Sequence, residues 1–493
     1  MSLKIHYKKF FNSYYLGIFA ACILALTYQL ILFSKGFYSI SADEALHTLR
    51  AYNWYRGDHS LFSMWLPFYK IFLGTIFHIS HNLFITPRVV SFLFGILNIL
   101  ALTWISHQLF NEKVIDLLTA LLGAFFAPII ILSVIPLMGI IYSFFVIMFF
   151  GFLLKWFSDK KSSSLYLSLF WIALSSTVRF EGWIFSFLIF LIILYSFFFE
   201  KEEFKLTKLN LLFSVLILGV FPVIWFFISY IHTGSIFGFA AEVAGQTRKG
   251  YFISTIKNNV LYQFFQINIS SLNILGIISI IYFTIKDKKI RKFSAAAFIS
   301  LFIMALLSFY GKAMPNHNYW RIATVWCILL IPFTAHWIYS LLNDNPDKKY
   351  FAIIGFILIL LVTSFSFINQ TNRMSENSYM TKSELGAGKY LNNLFDAGKI
   401  NSDLKVLIES DNWTQTGIIV ASQHPEYFIW NTNIKTGGHL IKTSHKEINI
   451  SEIQNQKIKL LVFEKKEIKD VLNESRKMKI LKRFNNWVIY EMN

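Results

Sequence analysis

Residues 14–50 read YYLGIFAACILALTYQLILFSKGFYSISADEALHTLR, an apolar run from Tyr14 to Phe33 followed closely by two adjacent carboxylates, Asp43 and Glu44. A run of about 20 apolar residues is long enough, as a helix, to cross the ~30 Å hydrocarbon core of a bilayer. The basic stretch Lys4 to Lys9 precedes it, as in a signal peptide. The run is longer than the about 7–15 residues of a signal h-region, and no small-residue cleavage site follows, so it reads as a retained membrane helix. Asp43 and Glu44 then stand where the chain leaves the membrane. Either they start a helix, or they perform chemistry.

The rest of the chain repeats the apolar pattern. Of 493 residues, 55% are hydrophobic, and the mean hydropathy is +0.50. Soluble domains hold about 45–50% apolar residues even with glycine counted, so this is a polytopic membrane protein. Eleven spans are predicted, roughly over 12–34, 87–108, 113–134, 136–157, 163–178, 181–199, 210–231, 261–285, 293–310, 321–341 and 350–369. The net charge of +18 would suggest nucleic acid in a soluble chain. Here Lys and Arg gather in short loops such as "KWFSDKKSSS", "EKEEFKLTK" and "KDKKIRK", which sets topology and argues against nucleic-acid binding. Those loops face inward if the N-terminus is inside, and the alternate loops carry few positive charges. Cys22 and Cys327 both lie in apolar runs, so neither a disulfide framework nor a zinc site is indicated.

With that orientation the outer face receives the loop 35–86, the loops 232–260 and 311–320, and everything after residue 370. Residues 1–370 form the transmembrane domain. Residues 371–493 are polar, with a helical pattern in "KSELGAGKYLNNLFDAGK" and strand-like runs at "LKVLIE", "KIKLLVFE" and "WVIYEM". A segment of about 120 residues is long enough to bury its own core, so a small extracytoplasmic α/β domain is expected.

Four outer clusters could carry chemistry. Ser41 and Glu44 match a capping box, in which each side chain satisfies an unpaired amide of the helix start. Asp43 is not needed for that cap, although a carboxylate in the first turn also suits the helix dipole. His47, at i+4, shares a face with Asp43 and could orient it, join it as a metal ligand, or form an exposed polar pair with it. In "MWLPFYKIFLGTIFHI" the aromatics recur near helical spacing, with Pro67 breaking or starting the segment. They suit a helix lying in the headgroup layer, or, for Trp65 and Tyr69, one wall of a substrate groove. In "STVRFEGW", Arg179 and Glu181 sit at a membrane boundary, either paired with each other or touching substrate, Arg179 at the donor phosphate and Glu181 in the groove. Arg248, Lys249, His317 and Arg321 gather on the outer loops, where basic residues are disfavoured and imply an anionic partner. Membrane lipid headgroups would suffice. A substrate phosphate held by arginine would be the specific alternative, and Arg321, at the mouth of a span, is the strongest candidate for it.

A carboxylate, a phosphate-binding set and aromatic walls on one membrane face fit transfer of a group from a lipid-linked phosphate. At "SADEALH", "WLPFYK", "VRFEGW" and "NYWRIATVWCILLIP" the chain resembles the GT-C class of integral membrane glycosyltransferases. The nearest branch holds the protein O-mannosyltransferases and lipid A aminoarabinose transferases. The resemblance implies an inverting enzyme that uses a polyprenyl-phosphate sugar and passes it to a hydroxyl acceptor on protein, lipid or glycan. It implies Asp43 as catalytic base, Glu44 and His47 in support, and Arg321 at the donor phosphate. It also implies a cell-envelope protein of a bacterial or archaeal cytoplasmic membrane, active on the outer face. Three departures are visible. The loop "SVIPLMGIIY" has no acidic residue, so a metal shared between two carboxylate loops lacks its second partner and no cofactor is assigned. "SDNWTQ" occurs without a WWDYG motif, unlike oligosaccharyltransferase catalytic subunits. The usual late Arg-Tyr is Trp320-Arg321 followed by Ile322. A transporter or flippase of lipid-linked intermediates is the alternative. It would place ionisable residues in mid-span, where Asp116 is the main case.

Overall fold

Apolar runs of membrane-crossing length become helices because a helix satisfies every backbone N–H and C=O within one segment, without water. In the computed structural model the described residues are 2–63, 65–204, 206–239, 241, 259–271, 273–309, 319–343, 349–376, 380–399, 404–409, 414–429, 457–464 and 478–492. The first nine helices are α1 (Ser2–Ser34), α2 (Asp43–Tyr55), α3 (Phe68–Ile76), α4 (Thr86–Phe110), α5 (Lys113–Phe125), α6 (Ala127–Val134), α7 (Met138–Asp159), α8 (Ser162–Val178) and α9 (Glu181–Phe199). Longer helices follow at Lys208–Thr233, Lys288–Phe309 and Lys349–Glu376.

Among the described residues six helices are long and apolar enough to cross a membrane, or up to nine if each of three bent pairs is one span. This differs from the expectation of one helix per apolar run. The run at 113–134 is α5 and α6, bent by 55°. The break falls at Phe126, whose extended backbone (ψ 106°) precedes Pro128 in the first turn of α6. Proline cannot donate to the preceding turn, and it disfavours helical backbone just before it. The run at 321–341 divides by 42° between Trp320–Leu329 and Ile331–Leu341, with Pro332 beside the break. The run at 261–285 is likewise two helices, Val260–Ser270 and Ile274–Lys286. The runs at 163–178 and 350–369 coincide with shorter apolar helices, Ser162–Val178 and Ile354–Asn369.

The helix Lys349–Glu376 continues past residue 370 into the polar C-terminal region. The next helix, Lys382–Asp396, starts at a complete capping box in which Thr381 and Glu384 exchange hydrogen bonds. It packs on a five-stranded sheet of order β2-β1-β3-β5-β4, formed by β1 (Lys405–Glu409), β2 (Phe428–Ile429), β3 (Ile458–Glu464), β4 (Met478–Arg483) and β5 (Trp487–Met492). β1 runs parallel to β2 and β3, and β5 runs antiparallel to β3 and β4. Alternate residues Val406, Ile408, Leu460, Val462, Trp487 and Ile489 supply its core. β3 is central and nearly all apolar, as a strand covered on both faces must be. Trp487 Nε1 donates to Glu384 Oε1 at 2.7 Å, which ties the helix cap to the last strand.

This domain docks on α2 and the start of α4. Tyr52 Oη donates to Glu426 Oε2 (2.8 Å), and the Leu83 amide donates to Gln423 Oε1 (2.7 Å). The buried Arg88 guanidinium binds the carbonyls of Phe84 (2.6 Å) and Tyr38 (2.7 Å) and approaches Met380 Sδ (3.7 Å). On its other flank α2 is held by α3, and Gly74 makes that contact tight: a Cβ there would lie 2.8 Å from the Ala51 carbonyl oxygen. The helix bearing Asp43 is thus gripped from both sides.

Candidate active site

Asp43 opens α2, and Arg321 lies in the first turn of the helix Tyr319–Leu329. The fold brings them together: Arg321 Nη2 donates to Asp43 Oδ2 at 3.2 Å. The Arg321 side chain is 6% exposed and that of Asp43 is 30% exposed, so the carboxylate is the open member of the pair.

Glu44 is more than a cap. Its carboxylate is 1% exposed and accepts from the amides of Ile40 (2.8 Å) and Ser41 (3.1 Å) and from Ser41 Oγ (2.7 Å). The expected capping box is therefore only half formed. The Ser41 hydroxyl turns to the carboxylate instead of accepting from a helix amide, and the N-cap position falls to Ala42, which has no side-chain hydrogen bond. The result pins residues 40–44 into a closed loop immediately beside Asp43. Burial pushes the Glu44 carboxyl up to about 7, against the opposing pull of Arg321 and of the Ile40 and Ser41 hydrogen bonds.

His47 is not an exposed partner of Asp43. It is 5% exposed and lies edge-on between Trp65 (ring centroids 5.1 Å) and Tyr69 (5.7 Å). Burial pulls its pKa down to about 3, with Asp43 opposing the shift and Arg50, Arg321 and Arg179 reinforcing it. It is a neutral ring in a packed wall, and the four charges acting on it outline one site. Among the described residues no group of three or more His, Cys, Asp or Glu is arranged to hold a metal. A cation on Asp43 would also compete with Arg321 for the same carboxylate.

The aromatic segment divides into two roles. Pro67 precedes α3, so Trp65 lies before the helix, with the Arg50 guanidinium 3.9 Å above its ring. Tyr69, on α3, is only 1% exposed and lines no open surface. Arg179 and Glu181 form a buried pair at the corner between α8 and α9. Arg179 Nε donates to both carboxylate oxygens (3.1 and 3.2 Å), and Nη2 donates to Oε1 at 2.5 Å. Gly182 makes the corner possible, because a Cβ there would meet the Ser176 amide nitrogen at 2.7 Å. Arg248, Lys249 and His317 lie outside the described residues.

Three features escaped the sequence reading. Arg50 covers Trp65, as above. Arg88 is buried behind Glu44, where a narrow cleft between α2 and the C-terminal domain is lined by Ser41, Glu44, Thr48, Arg88, Met380 and Gly417. The buried Tyr142, near the start of α7, lies beside the Arg179–Glu181 pair, and both charges act on its phenol. A basic residue closely following a membrane-entry proline was the available signal for Arg88. Asp116, the buried acid of the transport alternative, lies in the first turn of α5 and binds Tyr14 Oη (3.1 Å) and His107 Nδ1 (3.0 Å). It is a helix-end cluster, not a mid-span ion site.

No family profile matches the chain, and no curated protein does. Solved structures do. ArnT from Cupriavidus metallidurans bound to undecaprenyl phosphate superposes with a TM-score of 0.60 over 96% of this chain and 97% of that one, at 10% identity. The archaeal oligosaccharyltransferase AglB from Archaeoglobus fulgidus, in complex with an inhibitory peptide and a dolichol-phosphate, gives 0.55 over 93% and 70%, at 12% identity. Both neighbours are GT-C glycosyltransferases, and the chain shares their GT-C fold, as its motifs had suggested.

Proposed function

We propose that the protein is an inverting glycosyltransferase that moves a sugar from a polyprenyl-phosphate donor to a hydroxyl acceptor at the outer membrane surface. The observation that carries this reading is the Arg321–Asp43 contact of 3.2 Å. A candidate base and a candidate phosphate ligand, chosen from distant parts of the chain, converge on one site. The structural neighbours add support, since one was solved with undecaprenyl phosphate and another with dolichol-phosphate.

In the step, the acceptor oxygen bonds to the anomeric carbon as the bond from that carbon to the phosphate oxygen breaks. The acceptor proton passes to Asp43, and polyprenyl phosphate leaves with the bonding electron pair. Attack opposite the leaving group inverts the anomeric configuration. Arg321 meets the charge that grows on the phosphate, which is where electrostatic stabilisation is worth most. Its hydrogen bond to Asp43 can be exchanged for phosphate oxygens, turning the partly exposed carboxylate to the acceptor. Glu44 and the C-terminal domain hold α2 so that Asp43 keeps this position. The extracytoplasmic placement of that domain and the count of eleven spans belong to the same reading.

The test is incubation of the purified protein, reconstituted in vesicles, with a panel of polyprenyl-phosphate sugars and hydroxyl acceptors. The expected products are polyprenyl phosphate and a glycoside of inverted configuration. A product of retained configuration, or passage of intact donor across the vesicle without transfer, would overturn the reading.

A further inference from the structure

The Arg179–Glu181 corner holds polar groups that the proposed step leaves unused. Arg179 was expected to bind phosphate. Its guanidinium, however, already makes three hydrogen bonds to one carboxylate. A pair matched in this way presents little net charge to an anion, and Glu181 repels one. Tyr142 lies against it, with the Arg179 guanidinium 5.9 Å from its ring centroid. The residue is 4% exposed, and its hydroxyl is buried with no hydrogen-bond partner among the described residues. An unpaired buried hydroxyl is a free-energy cost that phenylalanine, filling the same space, would not carry. Its presence is explained if a ligand completes it.

We infer that Arg179, Glu181 and Tyr142 form the subsite for the hydroxyl groups of the transferred sugar, with Tyr142 Oη reserved for a hydrogen bond to the bound sugar. This rests on the glycosyl-transfer reading and adds which side chains touch the sugar. The set is close to neutral overall. Glu181 accepts, Arg179 donates, and a phenol does either, which matches a polyol and not a phosphate. The pair is placed for this role: the charge of Asp43 acts on Arg179, and the charges of Asp43, Arg179 and Arg321 all act on His47. Arg179, at 16% side-chain exposure against 3% for Glu181, is the member that reaches the surface. A sugar therefore meets the pair on the Arg179 side.

Tyr142→Phe tests this without endangering the fold, because the deleted hydroxyl has no partner to lose. Binding of a polyprenyl-phosphate sugar and of bare polyprenyl phosphate is measured on the full-length variant and wild type, together with thermal stability. The variant is expected to be at least as stable as wild type, to bind the sugar-bearing lipid about 3–10-fold more weakly, and to bind bare polyprenyl phosphate unchanged. Equal loss for both lipids, or no loss for either, overturns the inference. A wild type that binds the sugar-bearing lipid more tightly than the bare one but never transfers the sugar overturns the catalytic reading alone.

Discussion

Two ion pairs, Arg179–Glu181 and Arg321–Asp43, are built in opposite ways. Arg179 and Glu181 are two residues apart, make three hydrogen bonds and are 16% and 3% exposed. Arg321 and Asp43 are 278 residues apart and share one hydrogen bond of 3.2 Å, with Asp43 30% exposed. The local pair follows from a tight helix-to-helix corner and is saturated by its own geometry. The distant pair exists only once α2 and a late helix have assembled, and its carboxylate stays partly open to solvent. A saturated pair holds structure and offers its edges to neutral groups. One with an exposed carboxylate can be reached by substrate.

That contrast can be broken first at the local pair. Glu181→Ala would strand a buried guanidinium, and removing one partner of such a pair costs about 3–5 kcal/mol. A large drop in the thermal midpoint is expected, and an unchanged midpoint would show that the pair is no structural element. At the distant pair the same kind of deletion should spare the fold and strike binding. Arg321→Ala is expected to weaken donor affinity about 10–100-fold, the value of a charge-assisted hydrogen bond or two, with little change in midpoint. Unchanged affinity would mark Arg321 as an ordinary interfacial arginine.

A third contact gives the smallest effect and depends on pH. His424 Nδ1 lies 3.3 Å from Glu426 Oε1, and Glu426 also accepts from Tyr52 on α2. The hydrogen bond to Glu426 raises the His424 pKa, with burial opposing and Asp396 assisting. A raised histidine contributes stability that is complete below its ordinary value near 6.5 and disappears as pH climbs through the raised one. His424→Ala should therefore lower the thermal midpoint slightly at acid pH and hardly at all at alkaline pH. A loss independent of pH would remove the ion pair as its cause.

The sequence made the apolar runs and the polar C-terminal region plain, because period and composition are local properties. Bends inside runs were harder to see: Pro128 and Pro332 mark two of them, yet mean hydropathy passes through both unchanged. Asp43 stood out as a carboxylate that the helix start did not need, and Arg321 as a cation on the wrong side. Their contact was not legible, since nothing local encodes a meeting across 278 residues. Glu44 was underrated for a related reason. Its matching spacing to Ser41 predicted a cap, but burial turned the serine hydroxyl toward the carboxylate. Tyr142 closes "SVIPLMGIIY", the loop inspected for a missing acid, where one more aromatic in an apolar run gave no signal. Its unpaired hydroxyl against the Arg179–Glu181 pair shows only in the folded chain.

The most direct test of the account is to measure donor affinity and turnover together on Asp43→Asn. Loss of a general base should slow transfer by about 10²–10⁴-fold. Donor affinity should stay equal or become tighter, because Arg321 is then released for phosphate and a repelling carboxylate is gone. Transfer at the wild-type rate, or a loss of affinity as large as the loss of rate, would contradict the assignment of Asp43 as the base.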